Sequence, residues 1–336
     1  MPSVTRAETR GLEAPDPKLE SELRVRLNDV ESSLEKAVRS DTDFVTEAAS
    51  YLVAAGGKRF RPLLVILAGH FGDPVDPRLI QGATAIEITH LATLYHDDVI
   101  DEADTRRGRP SVNSRWDNTV AILTGDFLFA KASEISSELG TDVTRLLART
   151  IAILSDGQIR EVDASGRLDQ TEDAYMEIIR RKTATLIATS CRLGGMLSDA
   201  APETIERLDD FGLALGMAFQ LSDDIMDVTS TEEELRKEPG QDMREGVYTL
   251  PVLYALNGDA EGELASILAD GPPSGDRLAR ALALVRQDGS LGAARAAVTA
   301  EVRRATHLAG GLPAGRARDA LVHIAEFIAA RCGADV

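Results

Sequence analysis

Leu91–Gly108 reads LATLYHDDVIDEADTRRG. An apolar run ends in Asp97, Asp98 and Asp101, and Arg106 and Arg107 follow. On a helix, positions i and i+4 share a face, so Asp97 and Asp101 lie together with Asp98 beside them. The spacing returns in FQLSDDIMDV, where Asp223 and Asp227 form the i, i+4 pair and Asp224 stands between. Both clusters sit near the C-terminal ends of apolar helical runs, Ala83 to Tyr95 and Leu213 to Leu221. The negative end of the helix dipole and like-charge repulsion disfavour carboxylates there, so something positive must offset them. One such cluster reads equally well as a solvated helix end. Two of them, each closing a run suited to a core, argue for bound cations.

Outward from these segments, helical periodicity fills about 19–39, 43–55, 61–71, 77–101, 117–139, 142–164, 172–197 and 203–229. Gly56-Gly57, Gly72-Asp73-Pro74, Gly108-Arg109-Pro110, Gly140 and Ala201-Pro202 punctuate the blocks, and no hairpin signal competes with them. Arg106 and Arg107 fall about one and a half turns past the first cluster if that helix continues. Beyond a polar stretch at 231–249, Ala-rich helical patterns run to the end, broken by Gly271-Pro272-Pro273-Ser274-Gly275. Aromatics are only 4% of the 336 residues, against 43% hydrophobic overall, which disfavours an aromatic-stocked sheet core. The fold class expected is all-α: one large helical bundle whose site is built from side chains facing its centre. Residues 1–18 read as a loose leader without a secretory h-region, and 19–336 as one domain.

The net charge of −18 argues against a nucleic-acid scaffold held by phosphate contacts. No apolar run approaches the roughly 18 residues of a membrane span. Cys191 and Cys332 are the only cysteines, too few for a disulfide framework and in keeping with a reducing, cytoplasmic setting. An anionic ligand must therefore meet local cations. Gly56–Pro62 (GGKRFRP) gathers Lys58, Arg59 and Arg61 at a turn that opens a helix, and Lys182-Thr183 interrupts another apolar face. For Arg59 and Arg180 the expectation is an ordinary surface ion pair. Hard cations prefer oxygen, and Mg²⁺ is commonly held by one or two carboxylates plus substrate phosphates, so the expected ligand is a Mg²⁺–diphosphate cluster bridging the two acidic helices. Zinc is disfavoured, because His90 and His96 fall in no HExxH-like arrangement.

In this order the motifs resemble the trans-isoprenyl diphosphate synthase, or polyprenyl synthetase, family: GGKRFRP, DDVID with the RRG at 106–108, KT at 182–183, FQLSDDIMD, and Lys237 with the TLP at 249–251. The resemblance runs from about Tyr51 to Pro251 and implies the isoprenoid synthase fold with a central active-site cavity. It also implies that Lys58, Arg61, His90 and Arg107 hold isopentenyl diphosphate. The allylic diphosphate would meet Arg106, Lys182, Thr183, Gln220 and Lys237, and Asp97, Asp98, Asp101, Asp223, Asp224 and Asp227 would carry Mg²⁺. Two departures stand out. Val247 occupies a position where relatives often have a second Lys, and Glu161 one where many have Gln.

The implied reaction is head-to-tail condensation: diphosphate leaves the allylic substrate, the isopentenyl double bond attacks the cation, and a proton is lost. The growing chain would pass below the first cluster, where Thr93 and Ala92 lie about 6 to 7.5 Å down the helix axis from Asp97, with Ile88 and Thr89 one turn further. Relatives that make short products often carry an aromatic floor there. The small Ala92 favours a longer polyprenyl product, suited to a quinone side chain, over a farnesyl or geranylgeranyl product. Helical relatives of this kind commonly pair as homodimers, and a greasy product implies peripheral membrane contact at release. A class I terpene cyclase would need no GGKRFRP cluster, and a non-catalytic partner subunit would tend to show a damaged aspartate cluster. An acidic helical binding protein would leave the ordered motifs unexplained.

Overall fold

The computed structural model describes residues 13–230, 239–258, 262–287 and 289–335. Helix α1 (Pro17–Ala37) starts with proline at its first position, where no amide is needed, and the Asp16 carboxylate accepts the Leu19 N–H at 2.8 Å. Of the expected leader, residues 1–12 lie outside the described residues. Helices α2 (Asp43–Ala54), α3 (Phe60–Gly69) and α4 (Arg78–Ile100) follow. In α4 every residue from Gly82 to Thr89 is buried. Burial on every side places this segment inside, and α4 is packed by α1, α3 and α6 (Asn118–Glu138).

The condition that the first acidic helix continue past Asp101 is not met, and a hairpin stands where no hairpin signal was read. Helix α4 stops at Ile100, with Asp101 as its cap, and Glu102 leaves the helix at φ 49°. Arg106 and Arg107 therefore lie on no continuing helix. They belong to a hairpin in which β1 (Thr105–Arg106) pairs antiparallel with β2 (Arg109–Pro110), Thr105 opposite Pro110 and Arg106 opposite Arg109. The connecting Arg107 and Gly108 both have positive φ, 54° and 72°, as a tight two-residue hairpin turn requires. A short α5 (Val112–Arg115) leads into α6.

Helix α7 (Thr141–Ala164) precedes α8 (Glu172–Ile179), and α9 (Thr185–Leu197) follows in the chain. The stretch expected as one regular helix is broken by a π turn over Arg180–Ala184, where the Thr185 N–H reaches back five residues to the Arg180 carbonyl. Then come α10 (Pro202–Thr229), α11 (Gln241–Arg244), α12 (Leu250–Gly258), α13 (Glu263–Ala269), α14 (Gly275–Gln287), α15 (Ser290–Gly310) and α16 (Arg316–Arg331). Apart from the hairpin, the regular structure of the described residues is helical. The chain forms two compact units. The first comprises Met1–Ile151, Leu186–Gly212 and Leu308–Ile324, and the second Ala152–Thr185, Leu213–His307 and Ala325–Val336. Among the described residues no helix is long and apolar enough to cross a membrane.

Candidate active site

In the first unit the aspartates close α4 and the hairpin turns back toward them. Asp98 is fully buried, and its Oδ1 accepts the Arg106 Nε–H at 2.6 Å. Its Oδ2 is buried without a hydrogen-bond partner among the described residues. Burial raises the Asp98 pKa, and Arg106 opposes that shift. A desolvated carboxylate with one oxygen spare is the donor chemistry a hard divalent ion takes, so these residues fit such a metal. Asp101 lies one turn along, its N–H bonded to the Asp97 carbonyl at 2.8 Å.

The hairpin is anchored from outside. Tyr51 on α2 donates its hydroxyl to the Pro110 carbonyl at 3.0 Å, and the Arg115 guanidinium stacks over Tyr51 and Trp116 at 4.8 and 4.5 Å. Arg107 is thereby directed into the GGKRFRP turn, where its Nη1 donates to the carbonyls of Leu52, at 3.1 Å, and Gly56. Gly57 has φ 152°, and a Cβ there would stand 3.1 to 3.2 Å from the Arg107 guanidinium. Glycine therefore lets the turn and the cation meet. Burial lowers the Arg107 pKa.

Lys58 is exposed at the same turn, whereas Arg59 is only 2% exposed. The surface pair expected for Arg59 is corrected: its Nη1 donates to Glu87 at 2.9 Å, and its Nε and Nη2 grip Glu31. Burial pulls the Arg59 pKa down, but the two carboxylates outweigh it and hold the group charged. Arg180 does form the exposed pair expected of it, 3.5 Å from Glu177. His90 faces the same cations. Burial first, then Arg61, Arg107, Arg106 and Arg59, push its pKa well below the ordinary histidine value, leaving a neutral imidazole beside a cationic turn.

One turn and more below Asp97, Ile88, Thr89 and Ala92 are fully buried and Thr93 is half-buried. Both threonines turn their hydroxyls back onto the helix, Thr89 to the Ala85 carbonyl and Thr93 to the His90 carbonyl, each at 2.8 Å. This face is consequently less polar than its composition suggests.

In the second unit, Lys182 and Thr183 sit in the π turn. A Cβ at Gly157 of α7 would come within 2.7 Å of the Lys182 nitrogen, so a glycine there admits the widened turn. Lys182 Nζ donates to Glu161 Oε1. Thr183 donates its hydroxyl to Gln220 Oε1 at 2.8 Å, and Gln220 Nε2 donates to Asp224 Oδ1 at 2.8 Å. Asp224 Oδ2 accepts from the Tyr175 hydroxyl. The Asp224 carboxyl, almost fully buried, is pushed up to about 7 by burial, and burial together with Asp224 raises the tyrosine. With both oxygens engaged, Asp224 braces the cluster in this structure. A direct metal contact would require one of these bonds to give way.

Asp223 is more open and pairs with Arg331 at 2.7 Å. Asp227 accepts the Asp242 N–H at 3.3 Å, and its carbonyl takes the Gly240 N–H at 2.9 Å, tying α10 to α11. Lys237 lies outside the described residues. Sequence reasoning did not anticipate Tyr175 or Arg331, and it noted Glu161 only as a departure. No local spacing marks these residues, because their partners are remote in the chain.

The polyprenyl synthetase family model matches residues 42–285. Heptaprenyl diphosphate synthase component 2 of Geobacillus stearothermophilus is 42% identical, over 90% of this chain and 94% of its own length. Nonaprenyl diphosphate synthase of Mycobacterium tuberculosis is 39% identical, over 96% and 97%. The crystal structure of geranylgeranyl pyrophosphate synthase from Corynebacterium glutamicum, complexed with calcium and isoprenyl diphosphate, superposes with a TM-score of 0.83 at 42% identity, covering 95% of this chain and 99% of that one. The all-α isoprenoid synthase fold, the matched span and these full-length relatives agree with the ordered motifs: the chain belongs to the polyprenyl synthetase family.

Proposed function

We propose that this chain, acting through residues 19–336 as one catalytic domain, is a Mg²⁺-dependent trans-prenyltransferase. It would condense isopentenyl diphosphate head-to-tail with farnesyl or geranylgeranyl diphosphate to give a longer polyprenyl diphosphate. The observation that carries this reading is the doubled aspartate-rich helix end, each copy meeting its own arginine, Arg106 at Asp98 and Arg331 at Asp223. Lys58, Arg61, His90 and Arg107 bind the isopentenyl diphosphate. Neutral His90 contributes an N–H donor without adding to the local positive charge. Arg106, Lys182, Thr183, Gln220 and Lys237 orient the allylic diphosphate. Bound Mg²⁺, held by Asp97, Asp98, Asp101, Asp223 and Asp227, with Asp224 bracing the second set, would stabilise the charge that develops on the leaving diphosphate. Positioning two anionic substrates supplies the entropic part of the rate gain.

Small Ala92 supports a long product, of the kind used for quinone side chains. The hepta- and nonaprenyl relatives agree with that length. The protein works in the cytoplasm as a homodimer and touches the membrane peripherally to release product. Purified protein is incubated with Mg²⁺, isopentenyl diphosphate and either allylic primer, and the products are separated by chromatography. Polyprenyl diphosphates longer than geranylgeranyl are expected. Cyclisation without isopentenyl consumption, or an inert protein, would reject the reading.

A further inference from the structure

The geometry points to Arg331 as a positioning residue for the second metal-binding cluster, fixing Asp223 from outside the aspartate-rich motif; this rests on the prenyltransferase reading. Arg331 closes α16, and its guanidinium spans one turn of α10. The same nitrogen, Nη2, donates to the Phe219 carbonyl at 2.9 Å and forms an ion pair with Asp223 Oδ1 at 2.7 Å. Its Nε donates to Ser222 Oγ at 2.9 Å, and its plane lies 4.6 Å from the centre of the Phe219 ring. Ser222, fully buried, donates its own hydroxyl back to the Ile328 carbonyl of α16 at 3.1 Å, so the two helices are stitched reciprocally.

The arginine is held independently of the aspartate. The carbonyl, the hydroxyl and the ring would fix it even if Asp223 turned away, and residues just past it are tied to α15, Arg295 to the Cys332 carbonyl at 3.0 Å and Thr299 to the Asp335 carbonyl at 2.7 Å. A held guanidinium therefore orients a more exposed carboxylate. Arg331 is 13% exposed and Asp223 42%, so the anchor is shielded while the ligand faces outward. The contact runs from Nη2 to Oδ1 at 2.7 Å, fixing which way the carboxylate turns. Lysine cannot reproduce this arrangement, because a single ammonium cannot stack on the ring and reach the hydroxyl in the same plane.

The test uses the full chain and two variants, Arg331→Met and Arg331→Lys. Binding of Mg²⁺ with inorganic diphosphate is followed by calorimetry, a readout that needs no turnover. Arg331→Met should weaken Mg²⁺-dependent diphosphate binding about tenfold and Arg331→Lys roughly threefold, with helicity retained. In the Arg331→Met background, Asp223→Asn should cost less than it does in the parent chain, since the two positions are coupled. In turnover, the Mg²⁺ concentration for half-maximal rate should rise while the KM for isopentenyl diphosphate stays put. Binding as tight as in the parent chain, or tighter, would overturn the assignment, because the guanidinium would then be a spectator or a competitor of the cation. So would a parent chain that shows no Mg²⁺-dependent diphosphate binding. Should Arg331→Met fail to fold, Arg331→Lys and Phe219→Leu, which removes the stack, carry the same comparison. A parent chain that binds Mg²⁺ and diphosphate yet consumes no isopentenyl diphosphate would remove the proposed reaction and leave the role of Arg331 standing.

Discussion

The ammonium of Lys182 is neutralised by the carboxylate of Glu161, which reaches it from α7. An incoming diphosphate must therefore compete with a resident anion. Glu161→Gln keeps a hydrogen-bond acceptor but removes the charge. It should lower the KM for the allylic primer roughly fivefold, the size of one charge-assisted contact in a partly shielded place. Steady-state kinetics decides: a raised KM would show that Glu161 aims Lys182 and does not restrain it.

The Arg59 network is buried, and removing one partner strands a charge. Glu87→Gln should reduce folding stability by about 3 kcal/mol, read from urea midpoints. Loss of less than about 1 kcal/mol would mean that Glu31 alone suffices.

Asp224 gives a pH signature. The folded chain keeps a proton on it up to about 7, while the unfolded chain releases that proton near 3.8. Folded protein thus binds more protons in that window, and this group's contribution makes stability decline as pH rises from about 4 to about 7. Measured with a chelator present, Asp224→Asn should flatten that decline. An identical pH–Tm slope in the variant would place the proton elsewhere.

Ala92→Phe separates two readings of one buried face. If a tunnel opens beneath Asp97, the products shorten and stability barely changes. If the face is solid packing, overfilling costs about 1–3 kcal/mol and product length does not move. Chromatography and melting curves on the same preparation distinguish them.

Asp97→Ala and Asp223→Ala should each cut turnover by about a thousandfold or more while far-UV circular dichroism is preserved. Near-normal rates in either variant would contradict the assigned metal role.

Much of the helical framework was legible. Apolar spacing and Gly/Pro punctuation placed α2, α6, α7 and α10 within about two residues of their bounds. The hairpin at Thr105–Pro110 was not, because its turn is Arg107-Gly108, and nothing in the composition announces an arginine at positive φ. Arg59 illustrates a different limit. A charged residue beside Lys58 reads as surface until Glu31 and Glu87 arrive from two other helices. The aspartates were readable because their spacing is local. Tyr175, Glu161 and Arg331 were not, since each meets its partner across a long stretch of chain.

The π turn at Arg180–Ala184 amounts to one surplus residue threaded into an otherwise regular rod. Excising a single residue there would restore ideal geometry and swing everything upstream about 100° around the axis. Tyr175 and Lys182 would then no longer serve the same neighbourhood. The irregularity acts as a phase adjuster, letting Tyr175 before it and Thr183 within it both reach α10, at Asp224 and Gln220.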